Sequence, residues 1–312
     1  KIDVATNETT NLTFGLTAAG DRKNNFSYAR SLMNWENNDL ETGLDWRGYV
    51  KFSQRFVDEE GEEGAGGLKN VFYSIMADYS QSYTRIEDAS HGDDFLKYGH
   101  VGKFDVFQTN SYEYDQATGR YVHNGWKDTL VTFEASEFNP ELAAINNQYF
   151  SLFDNNVGGQ NFGVGPGGFF GGVEGVEAGP YSSLLEVQNG NALLNGQSAA
   201  STYGLWSYFG NQGNTYSINN NTQFRVSAIG SGDIGDHALQ MGFEYEQRRD
   251  SYYGLNPVGL WTLARLTTNS HIKEIDTSDS TVTNIGTEYY VTYDRLLGDN
   301  LFEFDYNLRT AL

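Results

Sequence analysis

Apolar and polar side chains alternate with a period of two over long segments of this chain, and no other feature constrains its fold as strongly. Successive side chains of a strand point to opposite faces, so the pattern builds one oily flank and one polar flank. From Asn11 to Ala18, Leu12, Phe14, Leu16 and Ala18 share a flank; Asn11, Thr13, Gly15 and Thr17 take the other. From Asp45 to Phe56, Trp46, Gly48, Val50, Phe52 and Phe56 oppose Asp45, Arg47, Tyr49, Lys51, Ser53 and Arg55, and Gln54 is the one polar member of the oily set. From Asn70 to Thr84, Val71, Tyr73, Ile75, Ala77 and Tyr79 alternate with Phe72, Ser74, Met76, Asp78 and Ser80. Weaker strands are predicted over Tyr98–Tyr114 (Phe104, Val106, Tyr112 and Tyr114 in phase) and Tyr121–Phe133, which is apolar at Val131 and Phe133.

The clearest hairpin follows. Phe224, Val226 and Ala228 alternate with Gln223, Arg225 and Ser227. Ser231–Asp236 supplies glycines and aspartates for a turn. Leu239, Met241, Phe243 and Tyr245 then alternate with Gln240, Gly242, Glu244 and Glu246. An eighth strand is predicted over Glu288–Arg295, with Tyr289, Val291 and Tyr293 in phase.

The links between strands fall into two classes. Asp58–Lys69, Asp115–Arg120 and Ser231–Asp236 are short or simple in composition, whereas Asp21–Gly43, Arg85–Lys97, Ser136–Thr215 and Ser251–Thr287 are mostly long and varied. Short turns on one side and long loops on the other are the layout of an outer-membrane barrel, and a water-soluble sandwich has no reason to sort its links. The strands also exceed the usual five or six residues of soluble sheets, matching a tilted membrane span. Within the long region 136–215, Val157–Gly179 is glycine-rich and dotted with aromatics, without the context of a phosphate-cradling loop. Asn256–Leu266 reads as a short helix with Pro257 in its first turn, placed in an outer loop.

Composition agrees. Aromatics make up 15% of the chain, glycine is frequent (36) and proline scarce (4), which favours strands. The mean hydropathy of −0.54 looks soluble, and no run of about 20 apolar residues exists. A barrel escapes both tests, because only alternate residues face lipid. With 41 acidic residues against 20 basic ones the formal charge is −21, which disfavours nucleic-acid binding. No cysteine is present, so disulfides and thiolate metal sites are excluded. The chain opens at Lys1-Ile2-Asp3 without a leader, and the expectation is a processed or truncated piece.

Residues able to carry chemistry are few. His91, His100, His123, His237 and His271 do not pair at metal-ligand spacing. His91-Gly92-Asp93-Asp94 could offer oxygen ligands but reads better as a loop cap. Asp58–Glu63 reads as a solvated acidic turn. Glu244 and Glu246 share a strand flank and read as lumen-facing polar residues rather than a glycosidase pair. No Gly-x-Ser-x-Gly elbow follows a buried strand, and the chain is expected not to be an enzyme. Trp35, Tyr181, Trp206, Tyr208, Tyr252, Tyr253 and Trp261 are loop aromatics that could stack on a ligand or pack loop on loop. No residue is singled out as catalytic, metal-binding or ligand-binding, and no cofactor is expected.

Several stretches carry a resemblance. Ser31–Asn38, Trp46–Phe56, Tyr98–Phe104, Ala238–Arg248, Gly254–Trp261 and Asp305–Arg309 resemble the Bacteroidota TonB-dependent outer-membrane receptors of the SusC/RagA-like or carboxypeptidase-regulatory-domain type. The likeness runs over most of the chain and lies in barrel and loop stretches, not catalytic motifs. It implies an all-β fold: about eight antiparallel strands of a 22-stranded transmembrane barrel with long extracellular loops. Residues 1–312 would then be part of one barrel domain, 136–215 an extracellular loop region, and the internal plug absent from this chain. The implied function is ligand capture and import at the cell outer membrane. The implied partners are lipid and lipopolysaccharide, the TonB complex through the missing plug, and a SusD-like surface lipoprotein or a larger outer-membrane assembly. The alternative is a soluble β-rich glycan-binding or adhesin module.

Overall fold

A computed structural model describes residues 1–56, 68–154, 181–272 and 275–295. The glycine-rich stretch, the acidic run Asp58–Glu63 and the stretch Asp305–Arg309 lie outside them. The described residues are mostly β and form two sheets. Ten strands occur: β1 (Ile2–Ala5), β2 (Thr10–Asn24), β3 (Leu40–Arg55), β4 (Leu68–Glu87), β5 (Gly102–Asp115), β6 (Arg120–Ala135), β7 (Tyr216–Ile234), β8 (His237–Leu255), β9 (Ile275–Ile285) and β10 (Glu288–Arg295). Three α-helices join them: α1 (Pro140–Asp154), α2 (Leu184–Asn189) and α3 (Gly259–Ile272). Among the described residues no helix is long and apolar enough to cross a membrane.

The chain divides into two compact units. The first holds the six-stranded antiparallel sheet β1-β2-β3-β4-β7-β8. Its register fixes which side chains share a face. Leu12, Phe52, Ile75, Ala228 and Phe243 stand opposite one another in one row, and Phe14, Val50, Ala77, Val226 and Tyr245 in the next. The other face carries rows such as Thr17, Arg47, Ser80, Gln223 and Arg248. The oily and polar flanks of five separate strands therefore fall into line across the whole sheet.

The order of this sheet corrects one expectation. The strands after β4 do not continue it; β4 pairs directly with β7, from Leu68↔Ile234 to Ile86↔Ser217. The β5–β6 hairpin belongs to the second unit, in the sheet β5-β6-β10-β9, where β10 runs parallel to β6 and antiparallel to β9. Periodicity reports a strand but not its sheet. Two bulges, where Thr129 and Asn124 have no partner on β5, also explain the poor alternation of β6. No closed barrel is present among the described residues.

With β5 and β6 removed from the large sheet, its links sort more cleanly. Residues 6–9, 56–67 and 235–236 connect strands at one end. Residues 25–39 and 88–215 connect them at the other, where β8 also ends.

The second unit has an ordinary apolar core. Val131, Val187, Ala192 and Leu194 are buried against Phe104, Val106, Tyr149, Phe150, Tyr181 and Leu184. Val101, Leu142 and Leu193 form a second cluster with Phe133, Ile145 and Ala199. The helix α1 starts with proline, tolerated where a backbone N–H has no partner anyway, and turns Leu142, Ile145, Tyr149 and Phe150 into this core at helical spacing. Ser183 caps α2 by accepting from Glu186 N.

Candidate functional site

The six-stranded sheet is arranged inside out. Its oily face is exposed: Leu16 retains 70% of its accessible surface, Met241 80% and Phe243 64%. Phe14, Leu44, Val50, Ile75, Phe224 and Leu239 are also open to the surroundings. On the polar face Asp78 is only 4% exposed and Ser74 7%. In this unit the buried hydrophobics are Leu40 and Tyr216, and the other buried hydrophobic side chains among the described residues lie in the second unit.

Aromatics mark the ends of the oily band. Toward the short-turn end, Phe52 and Phe56 contact Tyr73, with ring centroids 5.9 and 6.0 Å away. Toward the long-link end, Trp46 packs on Tyr79 at 5.3 Å and donates its indole N–H to Gln81 Oε1 at 3.1 Å. Gln81 in turn donates to Asn220 Oδ1 at 2.7 Å. Aliphatic residues fill the middle: Leu12, Val50, Ile75, Ala77, Val226 and Ala228. On β4 the band runs from Tyr73 to Tyr83, ten steps of about 3.3 Å. Tilted by about 40°, those steps span about 25 Å, the height of the lipid-facing band of an outer-membrane barrel.

The polar face centres on an ion cluster. Asp78 accepts from Arg47 Nε at 3.2 Å and Nη2 at 3.1 Å through one oxygen, and from Arg225 Nε at 2.9 Å through the other. Glu246 stands opposite Arg225 and Glu244 opposite Ser227, so both glutamates lie on the polar face, as their alternation predicted. A desolvated carboxylate is tolerated when both oxygens receive charged donors. Beside the cluster lies an open trough of about 480 Å³, lined on this face by Thr17, Asp45, Arg47, Ser80, Gln223 and Arg248. Such a wall offers hydrogen bonds of both senses to a polar solute.

The histidines serve the second unit's architecture. His91 is buried and bonds Asn139 Oδ1 at 2.8 Å, while Asn139 donates to Lys97 O and His100 O. The loop-cap reading of His91 matches this geometry. His100 bonds Ser136 Oγ at 2.8 Å and stacks on Trp261 at 5.4 Å, and burial holds its pKa below the ordinary 6.5. Ser136 Oγ also accepts from Phe138 N at 3.1 Å, so this serine–histidine contact is spent on the loop fold. His123 is buried in β6, bonds Tyr293 O at 2.9 Å through Nδ1 and meets Trp126 edge-on at 4.7 Å. His237 opens β8 on the surface, and His271 lies in α3. Among the described residues no group of three or more metal-ligating side chains comes together; Asp94 pairs with Lys97 at 2.6 Å.

The loop aromatics separate into classes that sequence reasoning left merged. Trp261 is buried and donates to Tyr98 O at 2.8 Å, and Tyr181 packs in the core. Tyr208 is stacked on Phe209 at 4.2 Å. Tyr252 and Tyr253 are exposed on the strand β8 rather than in a loop. Trp35 is exposed. The residues missed were Asp78 and its two arginines. Their signal was a charge of each sign on the polar flank of neighbouring strands, which becomes a cluster only once the register is known.

Comparison with protein-family models, with curated proteins and with solved structures gives no match.

Proposed function

We propose that the six-stranded sheet is part of the wall of an outer-membrane β-barrel, and that the chain belongs to a transport receptor that admits ligands through a plugged lumen. The inverted burial of that sheet carries the reading. If its oily face met water, eight or nine half-exposed apolar side chains would each forgo about 1 kcal/mol of burial. The sum, on the order of 10 kcal/mol, equals the net stability of a typical domain. Hydrocarbon removes that cost, and an aqueous lumen accounts for the charged opposite face. The sorted links and the aromatic ends of the band support the same orientation, with the long links outside the cell. In this reading the TonB complex supplies the energy through a plug outside this chain, and the trough beside Arg47 and Arg248 faces the ligand path.

The test is fractionation of the full-length protein. It should partition with outer membranes, require detergent for extraction and migrate differently on a gel before and after boiling. Recovery as a soluble monomer without detergent would overturn the proposal in favour of a soluble glycan-binding or adhesin module.

A further inference from the structure

The second unit has its own inversion. The loop formed by residues 26–38 buries its asparagines and exposes its hydrophobics. Asn34 and Asn38 are buried, whereas Phe26 (77% exposed), Tyr28, Leu32, Met33 and Trp35 point outward. The amides hold the loop rigid: Asn38 accepts from Ser27 N at 3.2 Å and donates to Trp35 O at 2.8 Å, and Asn37 donates to Asn34 Oδ1 at 2.7 Å. A second loop is clamped against it. Ser207 N donates to Ala29 O at 2.6 Å, Asn34 Nδ2 donates to Asn211 O, and Tyr28 meets Trp206 with ring centroids 6.5 Å apart. That second loop exposes Tyr203 (85%), Leu205 and Phe209, and Tyr203 meets Trp206 edge-on at 6.5 Å.

We infer that these two loops form one preorganised docking surface for a protein partner whose contact face is apolar at its centre and basic at its rim. Size is the first argument. The exposed parts of these side chains amount to roughly 800–1000 Å² at about 200 Å² per large side chain. That exceeds the roughly 300–600 Å² of the largest apolar patch on an ordinary monomer and equals what one side of a stable interface contributes. Rigidity is the second: asparagine clamps fix the backbone before binding, which lowers the ordering cost of association. Charge sets the partner's rim. Glu36 lies exposed within the first loop, and Glu141 lies against Gly210 of the second. The chain's formal charge of −21 opposes a second copy face to face and favours a basic partner. Trp206 lies between the two exposed tyrosines, and its indole N–H is buried without a partner in the chain. The surface belongs to the loop unit alone and stands whether or not the six-stranded sheet meets lipid.

Photo-crosslinking in the native cells tests this. A photoreactive residue replaces Trp35 or Tyr203 in the full-length protein, and Ser278, exposed on β9, serves as control. Both patch positions should join the same heterologous protein, and the control should not. The identified protein, purified and titrated against the full-length chain, should bind at least tenfold more weakly to a Trp35→Ser, Tyr203→Ser double variant. Its affinity should also fall with added salt, as an acidic–basic rim requires. Adducts only with the chain's own residues 155–180, only with a second copy, only with lipid, or none at all would each overturn the inference. Unchanged affinity of the double variant would do the same.

Discussion

Placing one charge on either face of the six-stranded sheet separates a lipid-facing wall from a water-facing one. Phe243 is 64% exposed and stands in the row Leu12, Phe52, Ile75 and Ala228, within about two residues of the middle of the oily band. If that face met water, Phe243→Arg would exchange one solvated surface side chain for another and shift stability by at most about 0.5 kcal/mol. In a bilayer the same arginine sits near the midplane, where it costs about 2–4 kcal/mol. That is roughly a 30- to 1000-fold change in the folding equilibrium at about 1.4 kcal/mol per decade. Gln240→Arg is the matched control: Gln240 opposes Ser231, and its side chain lies on the polar face of the same strand. The assay is denaturant-induced unfolding in lipid vesicles, followed by the change in gel mobility of the folded form. Phe243→Arg should lower the midpoint strongly and Gln240→Arg should leave it nearly unchanged. Equal effects of the two substitutions would refute the assignment of the oily face to lipid.

Three further outcomes follow from named contacts. Asp78→Ala removes the acceptor shared by Arg47 and Arg225 and should cost about 1–3 kcal/mol in the same unfolding assay; the usual 3–5 kcal/mol for a broken buried pair is reduced because both arginines are partly exposed. Gly196→Ala should destabilise the second unit by about 2 kcal/mol or more, read by hydrogen exchange, because φ is +82° and a methyl would fall 2.5 Å from Trp261 Cβ. Burial lowers the folded pKa of His100 below 6.5, so the native state binds fewer protons than the unfolded one; stability of the second unit should decline as pH falls through 6.5 toward the lowered value, and Trp261 fluorescence, with a His100→Gln comparison, reads it.

The wall strands were legible because their side-chain environment is two-valued. Leu12, Phe14 and Leu16, or Leu239, Met241, Phe243 and Tyr245, alternate without interruption, and those strands occur where the pattern places them. The strand β1 offers only Ile2 and Val4, too few positions to declare a period, and β9 is built of Thr, Ser and Asp with both flanks exposed. The helix over Asn256–Leu266 was visible from its proline and begins at Gly259. The helix α1 was hidden inside a stretch read as loop, although Asn139-Pro140-Glu141 is a start signal and Leu142, Ile145 and Tyr149 carry helical spacing. The ion cluster and the inverted loop depended on something sequence does not hold: Asp78 and Arg225 meet across a seam between distant segments, and the exposure of Phe26 or Tyr203 is a property of the finished surface.

The seam between β4 and β7 also bears on how the chain assembles and diversifies. Its two strands are neighbours although residues 88–215 intervene, whereas β2 and β3 are joined by 25–39. About three doublings of link length add roughly 2 kcal/mol of closure entropy, so zipping of this seam is retarded unless the intervening residues condense first around their own apolar clusters. Ile86 and Ser217 end side by side, as the two strands of an ordinary hairpin do. Excising the excursion and substituting a tight turn should thus preserve the pairing, leaving evolution free to exchange the whole inserted module while conserving the staves beneath it.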